Sequence, residues 1–231
     1  MEDENALCRR FRVVAVTVSF GARTVELLRP ENSDALITEE DYVRDERLPY
    51  WADLWPSALI LAEHLAARDG RGKGVLELGC GIGLVAIAAA HAGFAVTATD
   101  YYDDALAFTS VNVARNGRSP LTVRMIDWRA LPDDLGRFDM VVASDVLYEP
   151  GYPGLIASVL AQTLAPAGTG LIADPGRVAA PEFPAECSAH GLEVTGQLRM
   201  PFEDGDIRQT IDLISVQWRR PGGSRPHSKA R

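Results

Sequence analysis

Two hydrophobic periods alternate along the chain, one of two residues and one of about 3.6. Residues 11–28, FRVVAVTVSFGARTVELL, alternate apolar and polar positions on either side of Gly21-Ala22, which predicts two strands joined by a hairpin turn. The following stretch, RPENSDALITEEDYVRDERL, is polar and acidic and predicts a loop or a short irregular element. DLWPSALILAEHLAARDG then changes to helical spacing. Pro56 suits its first turn, Asp53 or Ser57 its cap, and Gly70 its stop.

From Gly74 onward strand and helix patterns take turns. GVLELG predicts a buried strand, LVAIAAAHAG a buried helix, AVTATD a strand, and DDALAFTSVNVARNG a helix closed by Gly117. LTVRMID and FDMVVASD predict strands, GYPGLIASVLAQTLAPAG a helix with a Pro-Gly stop, TGLIADP a strand and APEFPAECSAHG a helix. LEVTGQLRM and DIRQTIDLISVQWR predict two last strands with no helix between them. Strands that alternate with helices build a mostly parallel α/β sheet covered on both faces. The last pair, lacking a crossover, is expected as an antiparallel hairpin at the sheet edge.

Composition narrows the setting. The chain has 231 residues, 47% hydrophobic and 24% charged, which suits one globular domain with small additions. No apolar run reaches the ~18 residues of a membrane span, and MEDENALCRR is acidic, unlike a secretory leader. Cys8, Cys80 and Cys187 are odd in number and lack metal-ligand spacing, so a reducing, cytoplasmic setting is expected. A net charge of −9 argues against a nucleic-acid backbone as partner. A monomer is expected.

Candidate chemistry centres on VLELGCGIGLVAIAAA, where a strand pattern ends in Gly79, Gly81 and Gly83 and a helix pattern begins. Such a turn brings the backbone close to a ligand. A dinucleotide fingerprint, G-x-G-x-x-G, needs a glycine where Leu84 stands, and Glu77 just before the turn would repel a pyrophosphate. An acid there suits a cationic ligand such as S-adenosylmethionine, which carries an amino group and a sulfonium but no phosphate. Asp100, closing the next strand, is placed to accept both ribose hydroxyls. Asp127 and Trp128, after the third strand, offer an acceptor for the adenine amino group, an aromatic face and a backbone N–H.

The E-x-G-x-G-x-G pattern resembles motif I of the class I S-adenosylmethionine-dependent methyltransferases, and the resemblance covers about residues 50–218. It implies their fold, a Rossmann-like seven-stranded sheet, here with an N-terminal β-hairpin extension. The domains expected are an extension over 1–47, an S-adenosylmethionine-binding methyltransferase domain over 48–219 and a disordered basic tail over 220–231. Trp51 and Trp55 in PYWADLWPSALILAEHL, and Asp145 and Tyr148 in SDVLYEP, resemble the seven-β-strand protein lysine methyltransferases, the methyltransferase-16 group. The W-P pair and Asp174–Arg177, D-P-G-R, look most like bacterial relatives of the enzyme that methylates the electron-transfer-flavoprotein β subunit.

By that resemblance Trp55 and Ser144 line the cofactor pocket, and Asp145 and Tyr148 sit at the methyl-transfer site, with Trp51 near the substrate. The implied acceptor is a protein lysine. Transfer from an activated sulfonium needs no metal, only alignment and a neutral amine. Holding a lysine neutral at pH 7 costs about 4.6 kcal/mol, and burial in an aromatic pocket reduces that cost. A carboxylate acts the other way, so Asp145 is expected to dock and orient the lysine first and accept a proton second. Tyr148, with Trp51 nearby, is expected to supply a π face to the cation. Two other readings stay open. One is methylation of a protein N-terminus, another side chain or a small amine. The other is a binding protein that keeps the cofactor fold without turnover.

Overall fold

A computed structural model describes residues 4–36, 49–117 and 121–220. Most of the acidic loop expected after the hairpin, residues 37–48, and the expected disordered tail from 221 onward lie outside the described residues. The chain opens with a short helix, α1 (Glu4–Arg10), which the local pattern does not predict. Its one buried residue, Leu7, packs into a distant apolar cluster, so α1 is held by tertiary contact rather than by propensity. Strands β1 (Val13–Phe20) and β2 (Arg23–Pro30) pair antiparallel from Val13↔Pro30 to Phe20↔Arg23. Gly21, at φ 53, gives the two-residue turn the positive dihedral it requires.

Helix α2 (Pro56–Ala66) begins as expected at proline but has no side-chain cap, and Trp55 holds the cap position. Asp53 instead faces Arg29 at 3.3 Å, and Ser57 is buried inside the first turn with no partner for its Oγ among the described residues. The helix stops at Ala66, short of Gly70. Gly70 serves the following turn, where its amide bonds the Ala92 carbonyl and a side chain would strike the Phe94 ring.

The remaining elements follow the alternation: β3 (Gly74–Leu78), α3 (Leu84–His91), β4 (Ala95–Asp100), α4 (Asp103–Arg115), β5 (Thr122–Met125) and β6 (Phe138–Ser144). Then come α5 (Tyr152–Thr163), β7 (Leu164–Asp174), α6 (Phe183–Ala189), β8 (Leu192–Asp204) and β9 (Ile207–Trp218). Two boundaries differ from the sequence reading. Helix α5 ends at Thr163, and Leu164 already pairs with Phe138, so Pro166 and Gly168 lie in the irregular start of β7 rather than at a helix stop. A Cβ on Gly168 would come within 2.8 Å of the Phe138 carbonyl, which accounts for glycine there. Strand β5 ends at Met125, and Asp127 sits beyond it in an isolated bridge with Ala130.

The seven-stranded sheet has the order β5-β4-β3-β6-β7-β9-β8, parallel through β7 and antiparallel at β9 and β8. Side chains alternate across it. Leu76 and Leu78 face α5 and α6, while Val75 faces α2 and α3. The N-terminal hairpin packs outside α3 and α4, burying Phe20, Leu27 and Leu28 against Ile87, Ala88 and Phe108, with Trp51 at its margin. Asn112 of α4 locks this extension on. Its fully buried amide accepts from the Leu28 N–H at 2.7 Å and donates to the carbonyls of Leu28 at 2.9 Å and Ile82 at 2.8 Å. Among the described residues no helix is long and apolar enough to cross a membrane.

Candidate active site

Strand order reverses at β3. The chain moves outward through β4 and β5 and returns to lay β6 on the other side of β3. Loops leaving β3 and β6 therefore diverge, and a crevice opens at the carboxyl ends of the strands. A cavity of about 430 Å³ occupies that crevice, a size typical of small-molecule sites. Of the residues singled out in the sequence, Trp51, Trp55, Gly79, Gly81, Asp100, Asp127, Trp128, Ser144, Asp145 and Tyr148 line it.

The glycine turn forms one wall. Gly79 and Gly81 have φ of 72 and 53, a region other residues avoid. A Cβ on Gly81 would stand 2.9 Å from the Trp51 carbonyl oxygen. Asp100 fastens the turn to β4: its Oδ2 accepts the Gly81 N–H at 2.9 Å, and its Oδ1 accepts those of Tyr101 at 2.8 Å and Tyr102 at 3.2 Å. Burial raises the Asp100 carboxyl above the usual range, against the lowering effect of these three amides. From α4, the Thr109 hydroxyl donates to the Gly81 carbonyl at 2.9 Å.

Two motif residues do not line the cavity. Gly83, at φ 90, occupies the cap position of α3, and a Cβ there would press on Thr109 at 3.0–3.1 Å. Its smallness serves helix packing rather than a ligand. Glu77 is buried on β3, and the backbone N–H of Ala86 in the first turn of α3 favours its charged form. Its Oε2 has no partner among the described residues. Burial, reinforced by the Asp100 carboxylate, pushes the Glu77 carboxyl well above its ordinary range.

Aromatic rings form the opposite wall. Trp55, Tyr50, Tyr148, Tyr152 and Trp128 follow one another with centroid separations of 5.9, 5.5, 5.0 and 6.0 Å, all near edge-to-face. The rings beside Tyr148 are Tyr50 and Tyr152, not Trp51. Trp51 turns its ring toward Phe108 at 5.6 Å and Phe11 at 6.4 Å. Burial and the neighbouring Tyr152 hydroxyl raise the Tyr148 phenol far above its ordinary value, so Tyr148 is a neutral aromatic donor, not a base.

Asp145 directly follows β6 in a left-handed conformation, φ 59, the one positive φ outside glycine among the described residues. Its amide donates to the Ala173 carbonyl at 2.8 Å. Its carboxylate is already paired: Arg177 Nε donates to Oδ1 at 2.6 Å and a terminal guanidinium nitrogen to Oδ2 at 3.1 Å. The expected lone anion is thus half of an ion pair, and the guanidinium carbon lies 5.5 Å from the Trp55 ring centroid.

Tyr50, Tyr152 and Thr109 were not picked out from the sequence, and Arg177 entered only through the D-P-G-R resemblance, with no role in the site. D-P-G-R directly after a strand was the available signal for Arg177. The others meet the site only through tertiary packing.

The lining fits S-adenosylmethionine. Asp100 and Asp127 face the cavity as acids, the cavity arginines are already paired to Asp127 and Asp145, and Gly81 leaves a cradle that a Cβ would fill. A phosphate-bearing ligand would meet those acids unfavourably.

The lysine methyltransferase family profile matches residues 33–179. The electron transfer flavoprotein β subunit lysine methyltransferase of Rattus norvegicus is 32% identical over 160 residues, 66% of this chain and 60% of that protein. The EEF1A lysine methyltransferase 3 of Mus musculus is 35% identical over 131 residues, 53% of this chain and 55% of that protein. The chain thus spans less than two thirds of either relative. In fold it is similar to the glycopeptide N-methyltransferase MtfA, solved with S-adenosylmethionine, with a TM-score of 0.54 and 21% identity over 68% of this chain and 92% of that one. The profile match takes in the glycine turn, the aromatic segment and the end of β6 together: the chain belongs to the lysine methyltransferase family.

Proposed function

We propose that this chain transfers a methyl group from S-adenosylmethionine to the ε-amine of a lysine on a protein substrate. The observation that carries the reading is the aromatic wall of Trp55, Tyr50, Tyr148 and Tyr152 beside Asp145, in the crevice where the glycine turn ends. When bound, the cofactor supplies an activated methyl group on a sulfonium. Gly79 and Gly81 admit it close to the backbone. Asp100 accepts its ribose hydroxyls with the lone pairs its amide contacts leave, and Asp127 and Trp128 hold the adenine. Trp55 and Ser144 close the pocket. Glu77 acts through the glycine turn it precedes, and Trp51 through its carbonyl and packing.

The acceptor lysine enters past Tyr50 and Tyr148, whose rings hold it as a cation and then as a less hydrated amine. Val178, 96% exposed at the cavity rim, offers apolar contact to a macromolecule rather than to a small amine. The named relatives act on the electron transfer flavoprotein β subunit and on EEF1A, and the former is the first substrate to try. Free Cys8, Cys80 and Cys187 suit a reducing, cytoplasmic setting. The test is twofold. Calorimetry should detect S-adenosylmethionine binding, and tritiated cofactor should label a protein in lysate from cells lacking this chain. Label on no protein and on no metabolite of the lysate, with the cofactor bound, would favour a binding protein without turnover.

A further inference from the structure

The ion pair at the end of β6 changes what Asp145 can do for an amine. A lone carboxylate would hold a lysine protonated, which opposes nucleophilic attack. Arg177 meets that carboxylate through two parallel bonds, and both partners are fixed from behind. On one side the Asp145 amide is tied to Ala173. On the other, Asp174 Oδ1 accepts the amides of Gly176 at 2.7 Å and Arg177 at 2.9 Å, setting the D-P-G-R turn. A single ammonium cannot reproduce the two-bond fork, so a lysine does not displace the guanidinium.

We infer that Arg177 is a positioning residue that cancels the charge of Asp145 and keeps the acceptor amine uncharged. The inference rests on the lysine reading above. An incoming lysine meets a neutral pair with its guanidinium, 36% exposed, turned partly toward the cavity. Other groups facing the pair do not undo this effect. Asp174 lies behind it with a carboxyl that burial raises above the usual range, Asp53 is paired with Arg29, and Tyr50, Tyr148 and Tyr152 present hydroxyls. Of the other acids in the lining, Asp100 is held by the amides of Gly81, Tyr101 and Tyr102, Asp127 is paired with Arg129, and Glu149 sits at the partly exposed rim where solvent screens it. The ammonium proton leaves to solvent through the cavity mouth. The nitrogen lone pair then forms the N–C bond while the S–C bond breaks onto sulfur, leaving a neutral thioether. The lone pairs that Arg177 leaves free on Asp145 can accept an N–H of the amine and aim it.

The test compares wild type, Arg177→Gln and Arg177→Lys across about pH 6 to 10. A rate profile displaced by about one pH unit corresponds to tenfold in rate at fixed pH. The acceptor is protein in lysate from cells lacking this chain, the donor tritiated S-adenosylmethionine, and product is counted as methyl-lysine after acid hydrolysis. Melting curves and calorimetric cofactor affinity check that the variants fold and bind. Arg177→Met replaces Arg177→Gln if the latter fails to fold. The neutral variant should lose about tenfold in kcat near pH 7 and recover to within about threefold near pH 10, with KM little changed. Arg177→Lys should keep the wild-type pH dependence at a lower rate. A loss equal at every pH would make Arg177 merely structural, and a lower KM with kcat intact would make it a placeholder for the substrate. Either result overturns the inference. Wild type that forms no methyl-lysine would overturn the lysine reading and the inference with it.

Discussion

Gly81 and Trp51 meet so closely that a Cβ on the glycine would stand 2.9 Å from the carbonyl oxygen of the tryptophan. The motif turn and the aromatic segment before α2 therefore form one wall. Gly81→Val would add this collision to the cost of a side chain at φ 53, together about 3 kcal/mol. Cofactor affinity should fall roughly a hundredfold by calorimetry on folded protein. Affinity within about threefold of wild type would remove the turn from the cofactor site.

Asp100 fastens the same turn and faces the cavity. Asp100→Ala removes a charged acceptor, worth about 2 kcal/mol, so the dissociation constant should rise about thirtyfold. Unchanged affinity in a folded variant would leave Asp100 a purely structural tie.

Gly83 separates packing from ligand approach. Its Cβ would press on Thr109 from outside the cavity. Gly83→Ala should cost about 2 kcal/mol of stability in denaturant unfolding, with cofactor affinity of the folded fraction unchanged. Lost affinity at full stability would return Gly83 to the ligand site.

Glu77 predicts a pH dependence. Burial and Asp100 raise its folded-state pKa well above its ordinary value. Between those two values the folded chain binds more protons than the unfolded one, so stability falls as pH rises toward the folded value. Glu77→Gln keeps the shape of the side chain without the charge. The ligand-free variant should melt above wild type near pH 8, and the gap should close toward about pH 4. A variant that melts lower at every pH would mean the carboxylate stabilises α3 in its charged form.

The parts of the fold that the sequence revealed were those with a local period. Alternation in residues 13–30 sufficed for the hairpin, and the strand–helix rhythm from Gly74 to Trp218 for the sheet and its antiparallel edge. The strand ends carried Asp100, Asp127, Ser144 and Asp145 to one crevice because parallel strands all finish on one side. Features without a local signal were misjudged. α1 depends on Leu7 reaching a remote cluster, and LAPAG looked helical until Leu164 found Phe138. Motif residues share one spacing but divide by burial, with Glu77 and Gly83 turned to α3 and Gly79 and Gly81 to the cavity. Asp145 looked solitary because Arg177 arrives from another strand end, 32 residues away.

The chemical identity of the labelled residue tests the central claim most directly. Protein labelled by the purified chain with tritiated S-adenosylmethionine should be hydrolysed and its methylated amino acid resolved by mass spectrometry. Label should appear on the ε-nitrogen of lysine, and little label should form when Asp145→Asn, which binds the cofactor normally, replaces wild type. Label on an arginine, a carboxylate, a protein N-terminus or a free metabolite would contradict that claim, as would wild-type turnover by Asp145→Asn.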